Sequence, residues 1–168
     1  FPQPGETLSA TGIARFHGGK GSNQAVAAAR AGATVAIVAA IGDDAAGQGA
    51  RDLWAAEGID AGAVATLPGL PTGEAVILVD AKGENEIIIL GGANAALPED
   101  AAAGAMAGAA LVIAQLETPL AATEAAFRAA RAGGIATLLN AAPARDLPAG
   151  LLDLTDILVV NETEAALL

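Results

Sequence analysis

The string His17-Gly18-Gly19-Lys20-Gly21-Ser22-Asn23-Gln24 stands directly before a helical stretch and carries the densest set of candidate ligand groups in the chain. Glycines allow the backbone to approach a ligand closely and to aim N–H groups into a cavity. Lys20 and Asn23 add side-chain donors. The pattern is not a P-loop, because Gly21 follows the lysine and Ala14 stands where the first glycine of Gly-x-x-x-x-Gly-Lys-Ser/Thr would be. It is not a Gly-x-Gly-x-x-Gly fingerprint either, since Gln24 takes the last position. A glycine-rich helix entry bearing Lys and Asn suits polyol hydroxyls better than a pyrophosphate.

A second set of polar groups follows the apolar runs. Val35–Ile41 leads into Gly42-Asp43-Asp44, Leu111–Gln115 into Leu116-Glu117, Ile135–Leu139 into Asn140, and Ile157–Val160 into Asn161-Glu162-Thr163-Glu164. In open α/β sheets ligands bind beyond the carboxyl ends of the strands, so four parallel strands would bring these groups to one rim. Asp43, Asp44 and Asn140 read equally well as caps of the next helix. Glu117 does not: Glu is a poor N-cap and Pro119 stands where a helix would begin, so Glu117 is a ligand candidate. Asn161 and Glu164 have the spacing of an N-cap and its N3 partner, which leaves both a capping and a functional reading open. His17 has no Asp or second His close by in sequence and reads as a loop residue, and Trp54, the sole Trp, as a packing anchor.

The elements that must position these groups alternate apolar runs with Ala-rich stretches, the rhythm of a parallel sheet covered by crossover helices. Strands are predicted at Val35–Ile41, Leu111–Gln115, Ile135–Asn140 and Ile157–Val160. Helices are predicted at Ser22–Ala31, Ala46–Glu57, Leu97–Ala107 and Leu120–Arg131, with another starting at Asn161. Two stretches break the rhythm, Glu6–Phe16 and Thr72–Leu90, and the second reads as a hairpin of Ala75–Val79 and Glu86–Leu90. The Gly104-x-x-x-Gly108 spacing reads as tight helix packing.

Composition narrows the function. Eight Lys and Arg against 19 Asp and Glu give a net charge of −11, which disfavours phosphate-backbone attraction and excludes a nucleic-acid-binding surface. The absence of Cys excludes thiol nucleophiles and Cys-ligated zinc, a single His excludes a His-rich metal site, and both fit a reducing cytoplasm. The longest uncharged run, the sixteen residues between Asp100 and Glu117, is shorter and less apolar than the roughly 20 residues of a bilayer-spanning helix. No membrane partner is expected. With aromatics at 2%, the core must come from Val, Ile, Leu and close Ala contacts, in a chain long enough to bury roughly 70% of its unfolded surface.

The chain resembles the ribokinase-like (PfkB) carbohydrate kinases along essentially its whole length. The resemblance rests on an ordered series: Phe1-Pro2-Gln3-Pro4-Gly5-Glu6-Thr7, Gly18 to Ala27, Gly42-Asp43-Asp44 with Gly47, Pro71-Thr72-Gly73, Gly92 to Leu97, Gln115-Leu116-Glu117-Thr118-Pro119, Asn140 to Ala144, and Asn161 to Ala165. It implies a Rossmann-like α/β domain with a small antiparallel β lid, here incomplete, spanning residues 1–168 with lid segments near 6–16 and 72–90. It also implies transfer of the ATP γ-phosphoryl to a sugar hydroxymethyl group, with ribose O5 the expected acceptor. Gly19, Lys20, Gly21, Ser22, Asn23 and Glu117 would bind the sugar, Asn161 would lie near the nucleotide phosphates, and Glu164 would organise Mg²⁺ through water. Other members of the family act on nucleosides or ketoses, and a non-catalytic sugar-binding fragment is a further alternative.

The resemblance also implies what lies elsewhere. A first strand with an Asn and an Asp for the sugar is expected before Phe1. The rest of the nucleotide site, a monovalent-cation (K⁺) site and the general-base Asp of a Gly-Ala-Gly-Asp segment are expected beyond Leu168. The chain alone is therefore expected not to turn over, and a homodimer through the lid is expected of the full-length protein. Ala141 stands where the family's Asn-Pro-Ala-Pro-Ala has proline, which is expected to loosen that loop.

Overall fold

The computed structural model describes residues 1–102 and 105–167. Its first unit runs α1 (Lys20–Arg30), β1 (Ala36–Gly42), α2 (Ala45–Ala56) and β2 (Asp60–Leu67), with β1 and β2 paired in parallel. A hairpin of β3 (Glu74–Val79) and β4 (Asn85–Leu90) follows, antiparallel from Glu74 opposite Leu90 to Val79 opposite Asn85. After a 3₁₀ turn at Gly92–Ala96 come β5 (Leu111–Ala114), α3 (Leu120–Ala132), β6 (Ala136–Asn140), α4 (Ala149–Asp153), β7 (Ile157–Val159) and α5 (Glu162–Ala165). Strands β5, β6 and β7 form a second parallel sheet in that order.

The expected parallel architecture with a small antiparallel element is present, with three differences. Strand β2 was not predicted: its sequence Asp-Ala-Gly-Ala-Val-Ala-Thr-Leu is poor in β-branched residues, and pairing with β1 rather than propensity holds it extended. Among the described residues the helix expected at Leu97–Ala107 does not form: Pro98 follows Leu97, the alanine run has no apolar stripe to bury, and these residues make turns. Gly104, half of the Gly104/Gly108 pair, lies outside the described residues. Residues 6–16, the other expected lid segment, form no strand and lie exposed, with Ile13 and Phe16 in solvent.

The core is split as the topology is. Ile37, Ile41, Trp54, Ile59 and Val64 pack between β1, β2 and the two helices beside them, while Leu116, Phe127, Leu139 and Leu151 pack around β6. Ala40, Ala93, Leu97 and Ala122 join β1 to α3 through small side chains, so alanine here serves close backbone approach. The loop after β6 is not loosened at Ala141: that residue is buried, and its N–H donates to the Val159 carbonyl at 3.0 Å, a bond proline could not make.

Asp44 accepts from the Gly47 N–H at 2.8 Å and caps α2, as the capping reading has it. Asn140 caps nothing; it pairs with Val159 at the end of β6, and the next helix starts only at Ala149. None of the described helices is long and apolar enough to cross a membrane.

Candidate functional site

Gly19 precedes α1 with φ +89°, a conformation that favours glycine, and makes no side-chain cap for the four unpaired N–H groups of the first turn. The cap comes instead from 97 residues away: the Lys20 N–H donates to Glu117 Oε2 at 2.8 Å. Glu117 thus sits at the positive end of the helix dipole, where a carboxylate is well placed. A Cβ on Gly19 would lie 4.0 Å from the same oxygen, so the carboxylate lies against bare backbone. The other oxygen, Oε1, makes no hydrogen bond among the described residues and is not a buried orphan, so it remains open to a ligand.

One turn further on, Gln115 Nε2 donates to Gln24 Oε1, and a Cβ on Gly21 would meet Gln115 Oε1 at 3.0 Å. Lys20 and Gln24 share a helix face at i, i+4, and Gln115 and Glu117 leave β5 two residues apart, so two pairs stitch α1 to that strand's exit. Neither Gln24 nor Gln115 stands out as functional in sequence; the signal they carry is the matching four-residue and two-residue offsets from Lys20 and Glu117.

The glycine-rich string does not act as one surface. Gly19, Lys20 and Gly21 face Glu117 and Gln115. Ser22 turns inward, its Oγ accepting from the buried Trp54 Nε1 at 2.8 Å, so Trp54 is both packing anchor and donor. Asn23 is exposed and shares a groove with His17, Val26 and Arg30. His17 is exposed as well, its ring lying where a Cβ on Gly49 would be, 2.8 Å from Cε1, so it packs the loop onto α2. Arg30 pairs with Glu57, which raises the guanidinium pKa and lowers that of the carboxyl through the hydrogen bonds between them.

The second sheet brings its strand exits together. Leu116 N–H donates to the Ala142 carbonyl at 2.9 Å and Ala141 N–H to Val159, so the segments bearing Glu117, Asn140 and Asn161 lie side by side along one rim. The fourth exit, after β1, belongs to the other sheet, and Asp44 there is engaged with Gly47 and Thr72. At Asn161 the capping reading holds in full. Asn161 Oδ1 accepts from the Glu164 N–H at 2.8 Å and Glu164 Oε2 accepts from the Asn161 N–H at 2.9 Å.

That reciprocal pair bears on Mg²⁺. Among the described residues no three or more acidic, His or Cys groups gather as a metal cluster. Glu164 is buried to 9% exposure with one oxygen committed to the cap, and Oε1 makes no hydrogen bond among the described residues. Mg²⁺ commonly keeps several waters and takes one or two carboxylates with substrate phosphates, so a single fixed carboxylate fits an outer, water-mediated role.

The whole-chain comparison decides the family. The model of the pfkB family carbohydrate kinases matches residues 2–168. The chain belongs to this family. It is 43% identical over 171 residues to a ribokinase of Haemophilus influenzae and 44% identical over 172 residues to one of Staphylococcus aureus, covering 100% of this chain and 56% and 57% of theirs. The structure of Arabidopsis thaliana ribokinase complexed with ribose and ATP superimposes with a TM-score of 0.89 at 34% identity, over 99% of this chain and 55% of that one. The chain therefore spans a little over half the length of these family relatives.

Proposed function

We propose that the protein carrying this chain phosphorylates ribose at O5 with ATP in the cytoplasm, and that these residues supply its sugar-facing wall and part of its phosphate rim. The observation that carries this reading is the closure of the glycine-rich α1 start onto Glu117, which leaves Glu117 Oε1 open beside bare backbone. The similarity to ribokinases at 43–44% identity supports ribose over other acceptors.

In this reading Glu117 Oε1 accepts from sugar hydroxyls, and Lys20, on the same helical turn, donates to them. Both orient the hydroxymethyl group, and orientation lowers the barrier by removing rotational and translational freedom before the step. The sugar oxygen forms the new O–P bond as the bond to the ADP oxygen breaks, and the hydroxyl proton leaves to a base outside these residues. Mg²⁺ would neutralise charge on the phosphates, with Glu164 holding its water shell and Asn161 beside it. The Asn161–Glu164 pairing fixes both side chains before the ligand arrives.

The test is ADP release by the full-length protein with ribose, 2-deoxyribose, fructose and adenosine in turn. Ribose should give the highest kcat/KM, and preference for fructose or adenosine would defeat the assignment. The 168-residue chain alone should release no ADP in the presence of ribose.

A further inference from the structure

Three strings far apart in sequence, Gly42 to Gly47, Pro71-Thr72-Gly73 and Gly92-Ala93-Asn94, converge where the β3–β4 hairpin joins the body. None of them takes part in the sugar or phosphate contacts above. The convergence is a backbone crossing. A Cβ on Gly42 would lie 2.3 Å from the Leu70 carbonyl oxygen and 2.7 Å from Thr72 N; on Gly47, 2.5 Å from the Gly42 carbonyl oxygen; on Gly73, 2.8 Å from the Gly91 carbonyl oxygen; on Gly92, 2.4 Å from the Pro71 carbonyl oxygen. Main chain touches main chain at all four points, and at Gly47 the Thr72 Oγ1 also comes within 2.9 Å.

One side-chain network ties the crossing together. Thr72 N–H donates to Asp44 Oδ2 at 2.7 Å, Thr72 Oγ1 donates to Asp44 Oδ1 at 2.6 Å, and the same hydroxyl accepts from the Gly42 N–H at 2.9 Å. Asp44 Oδ1 also accepts from Gly47 N–H, so one carboxylate links the start of α2 to the entry strand of the hairpin. The exit strand is held separately, by Ala93 N–H on the Pro71 carbonyl at 2.8 Å and by Asn94 Oδ1 on the Ala40 N–H at 3.3 Å. Bonds to a carboxylate are the strong members of such a set. These hydrogen bonds also hold the Asp44 carboxyl below its ordinary pKa, the Thr72 hydroxyl contributing most.

We propose that Asp44 and Thr72 form the latch that sets the angle of the β3–β4 hairpin to the body, making Asp44 a positioning residue for substrate capture. The hairpin itself has little else to hold it, since β3 and β4 are exposed along their whole length. The catalytic consequence rests on the kinase reading, in which the hairpin is the lid over the sugar.

The experiment compares Asp44→Asn, Thr72→Val and Thr72→Ser in the full-length protein, by sugar-dependent kinetics and by hydrogen exchange of residues 70–94. Losing the carboxylate or the hydroxyl should raise KM for ribose about tenfold with kcat changed less than about threefold, the size expected for one charge-assisted hydrogen bond. Exchange at 70–94 should quicken while α3 and β6 keep their protection, and Thr72→Ser should behave as the parent in both. Unchanged KM and exchange in folded Asp44→Asn, or Thr72→Ser as impaired as Thr72→Val, would overturn the latch. A parent protein that phosphorylates no sugar defeats the kinase reading instead, and the exchange comparison then decides the latch by itself.

Discussion

The indole of Trp54 on α2 donates to the hydroxyl of Ser22 on α1 at 2.8 Å, with Trp54 only 3% exposed. This bond fixes the rotation of α1 about its axis, and with it which of the residues 19–24 face Glu117. Ser22→Ala should strip a buried donor of its partner and cost about 1–3 kcal/mol. Urea unfolding followed by the emission of this Trp measures it, and an unchanged midpoint would remove the bond from any positioning role.

Glu117 gives one oxygen to the helix cap and keeps the other free of hydrogen bonds among the described residues, the oxygen we propose for the sugar. Glu117→Gln keeps a carbonyl oxygen for the Lys20 N–H but loses the charge, so ribose affinity should fall by about 1.5–3 kcal/mol, roughly 10- to 150-fold, with little change in thermal midpoint. Glu117→Ala should lower both. Calorimetric titration with ribose decides it, and parental affinity in Glu117→Gln would take Glu117 out of the sugar site.

Gly42→Ala should destabilise by at least about 1–3 kcal/mol, because its Cβ would meet backbone that cannot swing aside. Gly12→Ala, with nothing within 4 Å and no positive φ, is the matched control and should stay within about 0.5 kcal/mol. Equal urea midpoints for the two variants would refute the crossing.

Asp156 joins β6 to β7. Its Oδ2 accepts from the Thr137 N–H at 2.9 Å and its Oδ1 from Arg131 at 2.7 Å, and the Thr137 N–H, then the Thr137 hydroxyl and Arg131, pull its pKa down. A depressed folded pKa contributes stability that is full above the unfolded value, about 3.9, and is lost as pH falls through the lower folded value. Asp156→Asn should therefore cost stability at pH 7 and progressively less below pH 4. Thermal midpoints across that range test it; a constant difference down to pH 2 would contradict the linkage.

The hairpin presents apolar side chains on both faces, Val76 to Val79 on one strand and Ile87 to Leu90 on the other, all at least 37% exposed. An exposed apolar ribbon of this kind invites pairing. The homodimer expected of the full-length protein should, if it forms through this ribbon, dissociate to monomer in sedimentation equilibrium with Ile77→Glu and Ile88→Glu. An unaltered dimer would place the interface elsewhere.

Much of this was legible in the residues. The four strands with β-branched cores, the hairpin, the Asn161 capping pair and the isolation of Glu117 before Pro119 all follow from local chemistry. Strand β2 was hidden because its Ala- and Gly-rich sequence is held by β1 rather than by its own preference. The alanine run after Leu97 reads as helix because alanine favours helix everywhere, whether or not a face awaits burial. The split of the glycine-rich string was hidden for another reason: which way Ser22 and Asn23 point depends on Trp54, thirty-two positions from Ser22.

The glycine crossing beneath the hairpin changes what a map of mutational tolerance would mean for this protein. Gly42, Gly47, Gly73 and Gly92 would reject every side chain as firmly as the proposed sugar ligand Glu117 would reject replacement, but for reasons of backbone contact rather than of ligand chemistry. Ranking positions by intolerance would outline this crossing together with the proposed site. Only an assay that scores folded abundance apart from turnover would sort the two.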